Sequence, residues 1–361
     1  MERPNISSMR LLALFFLFSL TTSATAKDPL FEDDALLRIT LEGPLKSLNE
    51  ARIKDRRFPA TVMFEDEKGV MTELPLEVSA RGNKRRSKSV CAFPPLKLSF
   101  KKEDTDGTLF HKENRLKLVT QCHPAYRKYQ SYVITEYLIY RSLNILTDRS
   151  YQVRLAEISY QDGDDVLFTN FGIVLERTKR LAKRLELKQL KTKETDATQL
   201  EGRHLNLISL FQMMIANTDW SATHGGNDEC CHNGKLFHEP DHPDKPYLFI
   251  PYDFDMTGLV NPEYAAVDKA LKLDSIRERR YRGYCRNTDY LEENIALFNE
   301  KREQILDLFR ESPYLTGREK KRRVGYITKF YDLINNPKRV ERKILGWCHE
   351  STLIETASTD R

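Results

Sequence analysis

The chain has 361 residues, of which 40% are hydrophobic and 31% charged, with only 15 Gly and 15 Pro. These values exclude collagen-like, low-complexity and wholly disordered chains, and they suit one large globular domain or two modest ones. Lys and Arg number 58 against 53 Asp and Glu, and a net charge of +5 spread over this length is too weak to mark a nucleic-acid binder.

Arg10 precedes an apolar run, Leu11–Leu20, and Ala24-Thr25-Ala26 follows as a small-residue cleavage site before Lys27. That order predicts a secretory signal peptide over residues 1–26, with Met9 as an alternative start. The run is too short to cross a hydrocarbon core, and no later segment approaches the roughly 20 apolar residues a spanning helix needs. The mature chain is therefore expected to be exported without a transmembrane anchor, to a periplasmic, cell-surface or extracellular site.

Period-two alternation predicts strands at Leu37–Leu41, Ala60–Phe64, Leu76–Ala80 and Leu96–Phe100. Helical spacing takes over at Tyr132–Leu146. Strands return at Arg154–Tyr160 and Leu167–Leu175, and a strongly charged helical stretch is expected over Arg177–Thr198. A buried helix follows at Leu205–Ala216, then a short strand at Tyr247–Ile250 and helices at Leu291–Phe309 and Val324–Leu345. This order predicts an α+β protein: a β-rich lobe with one helix over residues 27–180, a helical lobe over 181–312, and a helical extension over 313–361.

Six cysteines in an exported chain favour disulfides, and six allow 15 pairings among which the sequence does not choose. We expect Cys91 with Cys122 and Cys285 with Cys348. Cys230-Cys231-His232 lies near His224, His238 and His242, but adjacent cysteines without a CxxC pair suit a tetrahedral zinc poorly.

Asp219, Asn233 and Asp253 each stand at or near the end of an apolar element, where a loop can present a side chain from a rigid scaffold. Their order is that of the base, the metal amide and the metal carboxylate of kinases. Mg²⁺ takes hard oxygen ligands and keeps water, so one Asp and one Asn completed by nucleotide phosphates suffice. Asp255 shares the face of Asp253 if the strand continues, which offers a second metal contact. Caps and turns account for the same pattern without any chemistry.

The wording of the segments goes further. Arg81-Gly82-Asn83, Leu96-Lys97-Leu98-Ser99-Phe100, Phe171–Glu176, Asn217-Thr218-Asp219-Trp220, His232–Leu236 and Pro251–Asp255 resemble, in order, the motifs of the spore coat protein H (CotH) kinase-like family, in an exported bacterial branch. The resemblance covers Ile39 to Tyr264 and lies in the ordered combination; any single motif is unspecific. It implies an atypical protein-kinase-like two-lobed fold holding Mg-ATP, or ATP with Mn²⁺, between the lobes. The implied reaction transfers the γ-phosphoryl group to a Ser or Thr hydroxyl of a protein phosphoacceptor. It further implies Asp219 as catalytic acid, Lys97 at the nucleotide phosphates, Arg81-Gly82-Asn83 in the phosphate-covering turn, and Asn233 with Asp253 on the metal. Glu176 would end the hinge strand near adenine, and Glu136 is a candidate ion-pair partner for Lys97. Thr223–Cys231 must loop out to bring Asn233 back to Asp219. A noncatalytic envelope module on the same fold, or AMP transfer, are the competing readings. Trp220 reads as packing or as a loop anchor; Lys84, Arg85, Arg86 and Lys88, and the run Arg277–Arg282, read either as anion-binding groups or as a solvated charged face.

Overall fold

Alternation of apolar and polar residues builds the first half of the molecule. The computed structural model describes residues 29–350 apart from 67, 227, 228 and 268, so the expected signal peptide lies outside the described residues. The elements in order are α1 (Pro29–Glu32), β1 (Leu37–Glu42), α2 (Leu45–Ala51), β2 (Phe58–Glu65), β3 (Met71–Ala80), β4 (Leu96–Ser99), β5 (Arg115–Val119), α3 (Arg127–Leu146), β6 (Val153–Asp162) and β7 (Asp165–Leu175). The seven strands close into a barrel in the order β1-β2-β3-β4-β5-β7-β6. Neighbours are antiparallel except where β6 meets β1 in parallel, Leu37 opposite Ala156 and Leu41 opposite Tyr160. Closure removes the exposed sheet edges that otherwise invite aggregation.

Leu37, Ile39 and Leu41 of β1, Leu96 and Leu98 of β4, Leu116 and Leu118 of β5, and Ile158 and Tyr160 of β6 fill the barrel interior. The alternate residues of β5 to β7, among them Val119, Leu155, Ile173 and Leu175, face outward into a second core. There they meet Ile134, Leu138 and Tyr140 of α3. A two-faced sheet of this kind needs a cover on its outer side, and the long helix supplies it.

The second half comprises α4 (Thr178–Arg184), β8 (Lys188–Leu190), α5 (Gly202–Met214), β9 (Gly234–His238), β10 (Leu248–Pro251), α6 (Leu291–Glu300), α7 (Arg302–Arg310), α8 (Gly317–Ile334) and α9 (Pro337–Lys343). β8, β9 and β10 form a small antiparallel sheet. The core under α3 continues through α5, α7 and α8, so the C-terminal helices share it. The fold is mixed α+β. Among the described residues no helix is long and apolar enough to cross a membrane.

Three expected elements differ. The charged stretch Arg177–Thr198 is helical only over α4; it reverses at Glu186, whose φ is 55°, and becomes β8 because Leu190 pairs with Leu236 of β9. With only Leu187 and Leu190 apolar between Glu186 and Asp196, helix propensity yielded to sheet pairing. Leu291–Phe309 divides at Lys301 into α6 and α7. Val324–Leu345 divides at Asn336-Pro337: Pro337 lacks an amide donor but suits a first helical position, and the Asn336 side chain accepts from Arg339 N to cap α9. β5 and β9 went unforeseen, since RLKLV and GKLFH are short and interrupted by lysine.

Cys91–Cys122 and Cys285–Cys348 are bonded as expected, and Cys230 is bonded to its neighbour Cys231, so all six cysteines are in disulfides. Three disulfides suit an oxidising compartment.

Candidate functional site

Asp219 owes its position to the end of a buried helix. Beyond α5 the chain reverses at Ala216, whose φ is 50°, and the Asn217 side chain accepts a hydrogen bond from Asp219 N at 2.9 Å. This Asx turn carries the carboxylate clear of the core. His232 Nε2 donates to Asp219 Oδ1 at 2.8 Å, and Asn233 Nδ2 donates to Asp219 Oδ2 at 3.1 Å and to its carbonyl at 2.7 Å. The His232 hydrogen bond leads in holding the Asp219 carboxyl below its usual range, with help from Asn233 and the Lys84 charge. Asp219 reciprocally raises His232. A carboxylate so held is ionised and acceptor-only.

A bridge between Ser221 and His232 brings together the ends of the expected insertion Thr223–Cys231, of which residues 227 and 228 lie outside the described residues. Asn233 is then locked to the end of β10 by Tyr252 N, which donates to its carbonyl at 2.9 Å. Asp253 comes next, with its own N donating to Tyr140 Oη of α3 at 2.8 Å. Both Asn233 and Asp253 have positive φ, 51° and 69°, so the chain turns sharply at each. The strand does not continue past Pro251, and Asp253 and Asp255 therefore do not share a face.

Asp255 belongs to a closed cluster. Its Oδ2 accepts from Arg85 Nη1 at 3.4 Å and from Tyr264 Oη at 3.1 Å, and it is 7% exposed. Burial, then the charge of Asp253, push its carboxyl up to about 6. Glu136 of α3, 2% exposed, stands at the same cluster. Burial, then Asp255 and Asp253, push it well above the carboxylate range against Arg85 and Arg81. Burial works against the Arg85 charge as well, yet Tyr264, Asp255, Glu136 and Asp253 hold it protonated. Asp255, expected as a second metal contact, pairs with Arg85, and Glu136 lies in the field of Arg85 while Lys97 pairs with Asp55.

Lys97 is also engaged elsewhere. It pairs with Asp55 in the loop after α2. Lys117, directly opposite it on β5, is the ammonium in the field of Asp253. Its ring contact is Tyr252, 4.5 Å from Nζ, and among the described residues it has no hydrogen-bond partner. Burial, with help from Arg81, lowers Lys117 to about 8 against the pull of Asp253. Neither the Arg81 guanidinium nor the Asp253 carboxylate has a hydrogen-bond partner among the described residues. Lys117 sits in a strand the alternation does not predict, and His232, visible in the zinc pattern and in the His232–Leu236 motif, carries no local signal that it bonds Asp219.

Arg81-Gly82-Asn83 opens the loop from β3 to β4. Gly82 has φ 82°, a conformation that a side chain would strain. Arg52 donates to Cys91 O at 2.6 Å, Arg86 donates to Arg52 O at 2.9 Å, and the Cys91–Cys122 disulfide ties the loop to the approach of α3. Asn83 is exposed and lines a separate basic groove with Arg52, Arg86 and Lys88. Glu176 ends β7 as expected, but its carboxylate is taken by Arg184 at 2.9 and 3.0 Å and by Gln152 N at 2.9 Å. It closes the barrel onto α4.

The donor set suits a hard divalent cation only in part. Asn233 keeps its amide oxygen and Asp253 its whole carboxylate, two hard oxygens of the kind Mg²⁺ prefers. Among the described residues no group of three His, Cys, Asp or Glu side chains is arranged to hold a metal. A cation here therefore needs phosphate oxygens and water to complete its shell. No protein-family model matches this chain, and no curated protein matches it either.

Proposed function

We propose that this chain is an exported phosphotransferase on a kinase-like two-lobed fold, of the CotH kinase-like kind, transferring the ATP γ-phosphoryl group to a protein Ser or Thr hydroxyl. One observation carries the reading: Arg81 and Asp253 both act on Lys117, Asp253 also acts on His232 of the Asp219–His232–Asn233 set, and the side chains of Arg81, Lys117 and Asp253 have no hydrogen-bond partners among the described residues. Two cations beside a free carboxylate form a site for a polyanion with a divalent cation.

The order of parts supports the same reading. A glycine-containing loop between paired strands, a lysine strand, a helix carrying a buried glutamate, and then the acid, amide and carboxylate follow one another as they do in kinases. The amide and carboxylate oxygens of Asn233 and Asp253 would hold Mg²⁺. When bound, that ion neutralises charge on the phosphoryl oxygens. Arg81 and Lys117 would hold the phosphates from the barrel side. Asp219, fixed by His232 and Asn233, would orient the acceptor hydroxyl and take its proton.

Incubation with γ-labelled and α-labelled ATP and Mg²⁺ tests this. The γ label should appear on protein, and Asp219→Asn should keep Mg-ATP binding while losing about 10²- to 10⁴-fold in transfer. Absence of Mg-ATP binding by wild-type protein, or unchanged binding in Asp253→Ala, would overturn the proposal. Transfer of the α label would mark AMP transfer, and bound nucleotide without turnover would mark a noncatalytic module.

A further inference from the structure

The arginine-rich run after the metal segment has the composition of an anion-binding patch, yet its guanidinium groups are spent on backbone carbonyls. Arg277 Nη1 donates to Gly258 O at 3.3 Å. Arg279 Nη2 donates to Met214 O at 3.2 Å, at the end of α5, and to Tyr326 O at 2.6 Å. Arg280 Nη2 reaches Leu271 O at 3.2 Å. Arg282 Nη1 donates to both Thr218 O, at 2.5 Å, and Trp220 O, at 2.7 Å, the carbonyls on either side of Asp219.

The run is therefore a strap across the segments that carry the acid and the carboxylate. It lies so close to the turn after Asp255 that a methyl group on Gly258 would collide with Ile276 O and come within 2.9 Å of Arg277 Cα. Its far end is tied down by Cys285–Cys348 and by Cys285 N, which donates to His349 O at 2.9 Å. Charged donors to carbonyls in a part-buried place are among the stronger hydrogen bonds, so the strap can fix backbone and not merely cover it.

We propose that Arg282 is a positioning residue for Asp219: its fork on the two flanking carbonyls sets the direction of the carboxylate toward the acceptor hydroxyl. The inference rests on the phosphotransferase reading for its reaction, though not for its geometry. Asp219 is joined to His232 and Asn233 through its side chain and to Asn217 through its amide, and Arg282 completes the frame through the carbonyls of Thr218 and Trp220. A small displacement of a catalytic group suffices to cost about 10²-fold in rate.

The test compares Arg282→Met and Arg282→Lys with wild-type protein in a Trp347→Phe background, which leaves Trp220 as the sole tryptophan of the two. Labelled-phosphate release from Mg-ATP to water, Mg-ATP affinity, melting temperature and acrylamide quenching of Trp220 are read together. Arg282→Met should lose about 10²-fold in kcat and Arg282→Lys about tenfold, with Mg-ATP affinity unchanged and Trp220 more readily quenched in Arg282→Met. Wild-type turnover in Arg282→Met, or a loss of turnover matched by equal losses of affinity and melting temperature, overturns the proposal. Should Arg282→Met not fold, Arg282→Lys decides by the same split between kcat and affinity. If wild-type protein binds no Mg-ATP, the phosphotransferase reading fails by itself. Quenching then decides the clamp: an increase at unchanged melting temperature upholds it, and no increase overturns it.

Discussion

Two charge clusters stand side by side where the barrel meets the helical half, and they differ in what has been done with their charges. In one, Arg85 from the β3–β4 loop pairs with Asp255, which also accepts from Tyr264, while Glu136 lies buried in the field of the same guanidinium. In the other, Arg81 from the same loop and Lys117 from β5 face Asp253 without forming hydrogen bonds. An arginine of one loop and an aspartate of one turn stand in each. A closed cluster of this kind holds two regions together, whereas an open one spends folding energy on keeping like charges near each other, which a bound polyanion relieves.

The largest expected effect tests the closed cluster. Arg85→Met should destabilise the fold by about 3–5 kcal/mol in denaturant unfolding, because it strands buried carboxyl groups that the guanidinium compensated. A change below about 1 kcal/mol, the scale of an exposed ion pair, would remove the distinction between the clusters. The open cluster should respond the other way. Lys117→Met should leave unfolding unchanged or slightly harder, since a desolvated ammonium beside Arg81 is removed, while Mg-ATP-dependent transfer falls by about 10²-fold.

A buried group outside both clusters sets a baseline for stability against pH. His204 is 4% exposed on α5, with its Nε2 3.1 Å from Phe249 O, and burial lowers its pKa to about 4. The unfolded chain takes up this proton first. The stabilising contribution is whole above pH 6.5 and is lost as pH falls toward 4, by on the order of 3 kcal/mol. His204→Gln should flatten that part of the profile; an unchanged slope would show that other groups carry it. The smallest effect belongs to Lys97→Met, which removes an ion pair with the 60% exposed Asp55 carboxylate, worth about 0–1 kcal/mol, and should leave turnover as it was. Loss of transfer in this variant would return the phosphate role to Lys97.

The contrast between Lys97 and Lys117 shows where reading along the chain stops. Both are lysines flanked by leucines on short strands, and in register they oppose each other, so local pattern does not separate them. What separates them is a partner far away in sequence: Asp55 takes one and Tyr252 underlies the other. Arg277–Arg282 taught the same lesson, since a dense run of cations was visible and the carbonyls that consume them were not.

From composition and periodicity alone came the exported, disulfide-bearing character expected of the chain, most strands of the barrel, the buried helix before Asp219, and the order of Asp219, Asn233 and Asp253. These follow from local rules, because alternation, helical spacing and turn chemistry act over a few residues. Tertiary structure alone decided that the barrel closes by parallel pairing of β1 with β6, that Asp255 is an arginine's partner, and that Cys230 joins Cys231. The reason is physical: burial, hydrogen-bond partners and fields depend on distances through space, and an amino-acid sequence orders residues only along the chain.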